Sequence, residues 1–124
     1  MTTATVTRER KANRAASVWM TQAISGLLLI VILTIHMIAH HFVVEGGLRD
    51  YEQVLAYVQN PLVFALELVF IVVATVHALL GVRAVILDIG LSEGAKRTLN
   101  WTLTIIGAIT LVYGIWLAIS LQQL

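Results

Sequence analysis

Four histidines and one glutamate, His36, His40, His41, His77 and Glu67, stand in stretches otherwise built mainly of leucine, isoleucine, valine and alanine. An imidazole can ligate a metal, relay a proton or take part in a hydrogen bond. In hydrocarbon an ionisable side chain is costly, so each of these positions is a functional-site hypothesis. The most informative segment is His77-Ala-Leu-Leu-Gly-Val-Arg-Ala-Val-Ile-Leu-Asp88. His77 reads as an axial ligand of a buried b-type haem. Gly81, on the same face one turn on, leaves room for the flat macrocycle. Arg83 and Asp88 follow at the end of the run, where a cation can hold haem propionates and a polar group can meet a quinone headgroup. The plainer role for His77 is a hydrogen bond to a neighbouring helix.

The other polar residues in apolar sequence carry paired readings as well. His36 and His40 are four apart and share a helix face, whereas His41 points elsewhere. Glu67 can accept a hydrogen bond from His40 or His41 and so orient a ligand, relay protons, or simply face a polar interface. Ser25 and Gln22 are candidates for quinone hydrogen bonds at the depth of Arg83 and Asp88, although serine in a membrane helix commonly bonds its own backbone or a neighbour. Arg14 can reach a propionate or anchor the chain's first residues.

The elements that must position these groups are membrane helices. The 124 residues are 59% hydrophobic and 12% charged, with a mean hydropathy of +0.89, whereas a soluble domain carries about a quarter charged residues. Cysteine is absent, which excludes disulfides, thiolate-held iron–sulfur clusters and covalently attached c-type haem within this chain. The net charge of +1 says nothing about nucleic acid, and no nucleic-acid partner is expected. Residues 1–16 form a basic flank with Arg8, Arg10, Lys11 and Arg14 against Glu9. It reads as a retained cytoplasmic tail, with an organellar presequence as a minor reading.

Spans are expected at about 17–44, 61–88 and 98–121, each long enough for a hydrocarbon core of about 30 Å. Gly46-Gly47 breaks the first connection. Leu48, Tyr51, Val54, Leu55 and Val58 then suggest an interfacial helix at about 48–59. Asn60-Pro61 is a helix start, with asparagine as cap and proline at the first position. Lys96 and Arg97 join Arg83 in a second basic connection, which puts the N-terminus inside and the C-terminus outside. Trp19, Trp101 and Trp116 fit interfacial belts, and Gly107, Gly114 and Ala118 offer small surfaces for close helix contact. The expected fold is all-α, a single three-span transmembrane bundle.

The second span resembles that of the small membrane-anchor subunits of succinate dehydrogenase. Those read His-x-x-x-Gly, then valine, then Asp-Tyr, matched here by His77, Gly81, Val85 and Asp88, with Ile89 where the tyrosine usually stands. The resemblance implies that His77 ligates haem b and that Asp88 lies near the quinone-reduction site. The missing tyrosine leaves a quinone hydrogen-bond donor to be supplied elsewhere. In the first span, Gln22-x-x-Ser25-Gly26 followed by His36-Met37 resembles the di-haem anchors of succinate:menaquinone and fumarate reductases, which implies His36 as ligand of an outer haem, with His40 as the fallback. The partners implied are a flavoprotein subunit, an iron–sulfur subunit and a second cytochrome b anchor, in the cytoplasmic membrane of a bacterium or archaeon. The cofactors implied are one or two haems b, shared with the second anchor, and a quinone, with menaquinone favoured. No stand-alone catalysis and no catalytic residue are expected of this chain.

At about 1.5 Å per residue, His77 lies about 16 Å from Asp88 and His36 about 27 Å from Val18. If Val18 and Asp88 mark one surface, the two histidines differ in depth by about 10 Å. Each then needs a partner ligand from another chain. The rival readings are the cytochrome b subunit of another respiratory dehydrogenase and a haem-free scaffold.

Overall fold

The computed structural model describes residues 3–43, 46–47 and 49–124, and for His40 the backbone alone. Four helices follow one another: α1 (Thr3–His41), α2 (Tyr51–Val58), α3 (Pro61–Leu87) and α4 (Glu93–Leu121), with no strand among the described residues. α1, α3 and α4 are each long and apolar enough to cross a membrane. The protein is an integral, multi-pass membrane protein.

α1 does not stop at the expected flank. It runs unbroken through Thr3–Ala16, because alanine, arginine, lysine and glutamate are helix formers and no proline or glycine interrupts them before Gly26. The first connection holds one short helix, α2, and Leu48, expected to open it, lies outside the described residues. The Asp50 side chain accepts from the Gln53 backbone N–H while the Gln53 side chain accepts from that of Asp50, a reciprocal cap. Asn60 caps α3 by accepting from the N–H groups of Leu62 and Val63, with Pro61 at the first position as expected. Ser92 caps α4, which starts at Glu93, ahead of the expected position 98. Gly90, at φ +80°, takes the left-handed conformation that reverses the chain between α3 and α4.

α3 is the middle helix. α1 packs on one side of it, α4 on the other, and α2 rests against its N-terminal end. The antiparallel register is fixed rung by rung. Gly81 faces the amide of Gln22, His77 faces Ser25, and Glu67 faces His36. On the other side Asn100 meets Arg83, Leu79 packs over Gly107, and Ile71 over Gly114. Extending both ladders brings Trp19, Ala84 and Trp101 to one level, with both tryptophans exposed to the surroundings. That level marks a membrane–water interface.

Little is buried. Ile32 and Ala118 are the buried hydrophobic residues and Ser25 the buried polar one among the described residues. The apolar flanks of all three long helices are left to lipid and to other chains.

A candidate haem and quinone site

Ser25 is 7% exposed, and its Oγ lies 3.0 Å from His77 Nδ1 and 3.0 Å from the Gln22 carbonyl oxygen. A hydroxyl has one proton. If it donates that proton to Gln22 O, Oγ accepts from the Nδ1–H of His77. Gly26 makes the approach possible. A Cβ there would stand 3.1 Å from His77 Cε1. The Ser25-Gly26 pair is thus a polar acceptor and a gap built for one histidine ring.

His36 is held differently. Its Nδ1 lies 3.1 Å from Glu67 Oε1, and its ring stacks on Phe70 with centroids 5.6 Å apart. A carboxylate accepting Nδ1–H is the partner that fixes the tautomer and raises the basicity of a metal-ligating histidine. Glu67 therefore pairs with His36 and not with His41, because the register places His36 opposite it. The side chain of His40, the fallback ligand, lies outside the described residues. His41 is exposed at the end of α1.

The rungs also revise the depths. Ser25 and His36 are 11 residues apart on α1, and Glu67 and His77 are 10 apart on α3. Both spacings put the two histidines about 15 Å apart along the helices. The expected 10 Å took Val18 and Asp88 as one level, but the ladder sets Val18 beside Ala84 or so and Asp88 beside Arg14. For the same reason Ser25 and Gln22 do not share a depth with Asp88. They lie at the levels of His77 and Gly81, and the side Gly81 leaves open is occupied by the Gln22 amide, whose Nε2 would be 3.3 Å from a Cβ at that position.

A cavity of about 690 Å³ opens beside His36, under α2, and is walled mostly by apolar residues of α3 and α4. Its polar lining residues are His36, Glu67, Tyr57, Thr75, Thr110 and Tyr113. Arg49 closes this end of the molecule. It donates to the Ala39 carbonyl at 3.1 Å, and its guanidinium sits 4.1 Å from the centroid of the Tyr57 ring. Gln122 donates from Nε2 to the Val58 carbonyl and ties α2 to the end of α4. Burial and the neighbouring Glu67 carboxylate push the Tyr57 phenol above its ordinary range, against the opposing pull of Arg49. The phenol is therefore protonated at neutral pH.

At the opposite end a smaller cavity of about 380 Å³ is lined by Arg14, Val18, Leu80, Arg83, Asn100 and Thr104. Arg83 donates from Nε to Asn100 Oδ1 at 2.7 Å, which holds its guanidinium at the wall of this cavity. Arg14 and Arg83, singled out separately in the sequence, are thus brought to one place. Asp88 is exposed just beyond α3 and lines neither cavity. Among the described residues no three histidine, aspartate or glutamate side chains converge on a metal position. A metal taken by His36 or His77 needs further ligands from another molecule.

The family described as the succinate dehydrogenase/fumarate reductase transmembrane subunit matches residues 5–117. The chain belongs to that family. Two relatives agree, each named a succinate dehydrogenase hydrophobic membrane anchor subunit. The one from Thermoplasma acidophilum is 30% identical over 103 residues, covering 83% of this chain and 84% of the relative. The one from Archaeoglobus fulgidus is also 30% identical over 103 residues, covering 83% and 87%. In this transmembrane subunit, roles for Arg49, Tyr57, Phe70 and Asn100 are not legible as site features in the sequence, whereas Gly26 already stands in the Gln22-x-x-Ser25-Gly26 motif. Arg49 and Tyr57 come to the site through a turn whose course no local pattern announces.

Proposed function

We propose that this chain is the haem b-binding membrane anchor of a succinate:quinone oxidoreductase. The observation that carries the proposal is the pair of Nδ1 contacts, Ser25 behind His77 and Glu67 behind His36, each orienting one imidazole ring from behind. The donor set fits haem, because each site supplies one oriented imidazole and none supplies a closed metal centre. His77 holds the inner haem and His36 the outer one, with the cavity beside His36 as the apolar space for a macrocycle. Each haem would need a further ligand, which a second cytochrome b anchor subunit would supply. Bound haem supplies one-electron transfer between the soluble subunits and quinone.

The chain's own residues orient and neutralise. Arg14 and Arg83 stand where propionates or a quinone carbonyl would meet cations. Asp88 borders the quinone end, at the level of Arg14 and Lys96. Glu67 orients His36 and is the candidate for passing a proton in from the α2 side. The basic tail and the Lys96-Arg97 pair near the start of α4 support an N-terminus inside and a C-terminus outside the cytoplasmic membrane of a bacterium or archaeon. The iron–sulfur and flavoprotein subunits dock on the inner side, and menaquinone is the favoured quinone.

Purification of the tagged full-length chain from detergent-solubilised membranes tests the reading. Flavin, iron–sulfur polypeptide, succinate-driven quinone reduction and a haem b band should travel with it. A preparation with the soluble polypeptides but no haem overturns the cytochrome assignment, and one with neither overturns the anchor assignment.

A further inference from the structure

Two arginines from different helices, Arg14 of α1 and Arg83 of α3, line one cavity of about 380 Å³. No acid lines it, and its other walls are apolar apart from Asn100 and Thr104. Neither arginine is in an ion pair among the described residues, where the pairs are His36 with Glu67 and Lys96 with Glu93. Asn100 accepts from Arg83 Nε and so holds the guanidinium without neutralising it. Like charges beside an apolar wall repel one another and lose hydration, and an anion between them relieves both costs.

The cavity sits at the membrane–water interface. Arg83 and Asn100 are each one residue from the level of Ala84 and Trp101, and Arg14 is five residues beyond Trp19, about 7.5 Å toward water. The headgroup layer is about 5–8 Å deep on each side of the hydrocarbon. Arg83 and Arg14 therefore stand at its two boundaries. Toward the hydrocarbon, Leu80, Val76, Val73 and Val69 follow from Arg83 at alternating spacings of three and four, one stripe of α3 with no polar member. None of them is buried, and Val69 is 49% exposed. From Leu80 to Val69 the stripe runs about 16 Å, close to one leaflet's share of a hydrocarbon core of about 30 Å. Glu67, Phe70, Ala74 and Thr75, which wall the cavity beside His36, fall on the opposite side of α3, and the two cavities share no residue.

We infer that this corner is a binding site for an anionic phospholipid of the leaflet marked by Trp19 and Trp101, with its phosphate between Arg14 and Arg83 and an acyl chain along the Leu80-to-Val69 stripe. Asn100 is a positioning residue that acts through Arg83. Basic pockets between membrane helices take lipid headgroups by the same chemistry. A haem propionate or free phosphate offers an anion to these guanidinium groups but has no use for a stripe one leaflet long, and a quinone carbonyl brings no charge. The lipid uses both the cations and the stripe. The site needs neither haem nor quinone and so stands apart from the function proposed above.

The test strips the purified complex of lipid in detergent, titrates it with phosphatidylglycerol and follows binding by native mass spectrometry. One lipid should bind more tightly than the rest, and phosphatidylcholine, whose headgroup carries its own cation, should bind more weakly. R14Q/R83Q should weaken the tight binding by about tenfold or more. Arg14→Gln alone, an exposed change, should give part of that loss, and Arg97→Gln, outside the cavity, none. Dihexanoyl phosphatidylglycerol, too short to follow the stripe, should bind at least about tenfold more weakly. Unfolding temperatures of the arginine variants without lipid should match, which separates loss of the site from loss of the fold. His77→Ala should bind the lipid as tightly as the unaltered chain. Absence of a tight site, equal affinity in R14Q/R83Q, equal affinity for the short-chain lipid, or displacement by an equal concentration of inorganic phosphate overturns the inference. Binding that appears only in His77→Ala, with its haem lost, assigns the cavity to a propionate and overturns it as well.

Discussion

Ser25 on α1 and His77 on α3 meet at 3.0 Å, the one buried polar side chain among the described residues set against the one histidine of the middle helix. Eleven residues farther along α1, His36 meets Glu67 of α3 at 3.1 Å. Two imidazoles are thus held by their Nδ1 atoms at two levels, one by a neutral hydroxyl and one by a carboxylate.

Ser25→Ala removes the partner of His77 Nδ1 without changing the helix. Loss of such an outer partner typically weakens metal binding about 10- to 100-fold. Haem quantified in purified complex should fall at the His77 site alone. Unchanged haem content and midpoint would show that Ser25 serves helix packing only.

Three glycine variants separate tight contacts from loose ones. Gly26→Ala sets a methyl 3.1 Å from the His77 ring, which has to shift by a few tenths of an ångström and perturb the haem spectrum. Gly81→Ala meets only the mobile end of Gln22 at 3.3 Å and should leave the spectrum intact. Gly107→Ala puts a methyl 2.5 Å from Leu79 Cδ1, an overpacking expected to cost about 1–3 kcal/mol in thermal unfolding in detergent.

Glu67→Gln keeps an acceptor for His36 but removes its charge. With haem bound at His36 as proposed, a carboxylate partner that raises imidazole basicity would favour the ferric state. The variant should therefore raise the midpoint of the His36 haem in a redox titration and leave the His77 haem where it was. Equal movement of both midpoints would contradict the assignment of Glu67 to one site.

Tyr57 makes the α2 end sensitive to alkali. Its phenol is raised by burial first and by Glu67 second, so its stabilising contribution is present below the ordinary pKa of about 10 and is lost as pH rises through the higher folded value. α2 should loosen above about pH 10, read as accelerated proteolysis of the 49–60 connection. Tyr57→Phe should remove that pH step.

Much of this is legible in the chain because membrane physics makes spans conspicuous. Asn60-Pro61 announces the start of α3 by local chemistry alone, and the small residues Gly107 and Gly114 mark contacts with α3. The length of α1 is not legible from hydropathy, since its first residues form helix by propensity while remaining polar. Partners are hardest to see. Span ends used as depth markers put Glu67 near His40 and His41, and an error of four residues at one end shifts every pairing across the helix pair. The same markers put Ser25 at the quinone, where the register instead gives it His77.

The most direct measurement is haem per chain in the purified complex for the unaltered protein, His77→Ala and His36→Ala, with each preparation titrated through its haem b band. Two haems in the unaltered protein are predicted, with His77→Ala losing the inner and His36→Ala only the outer, each surviving haem keeping its midpoint. Loss of both haems in each variant, or of none in either, would contradict the two-level account.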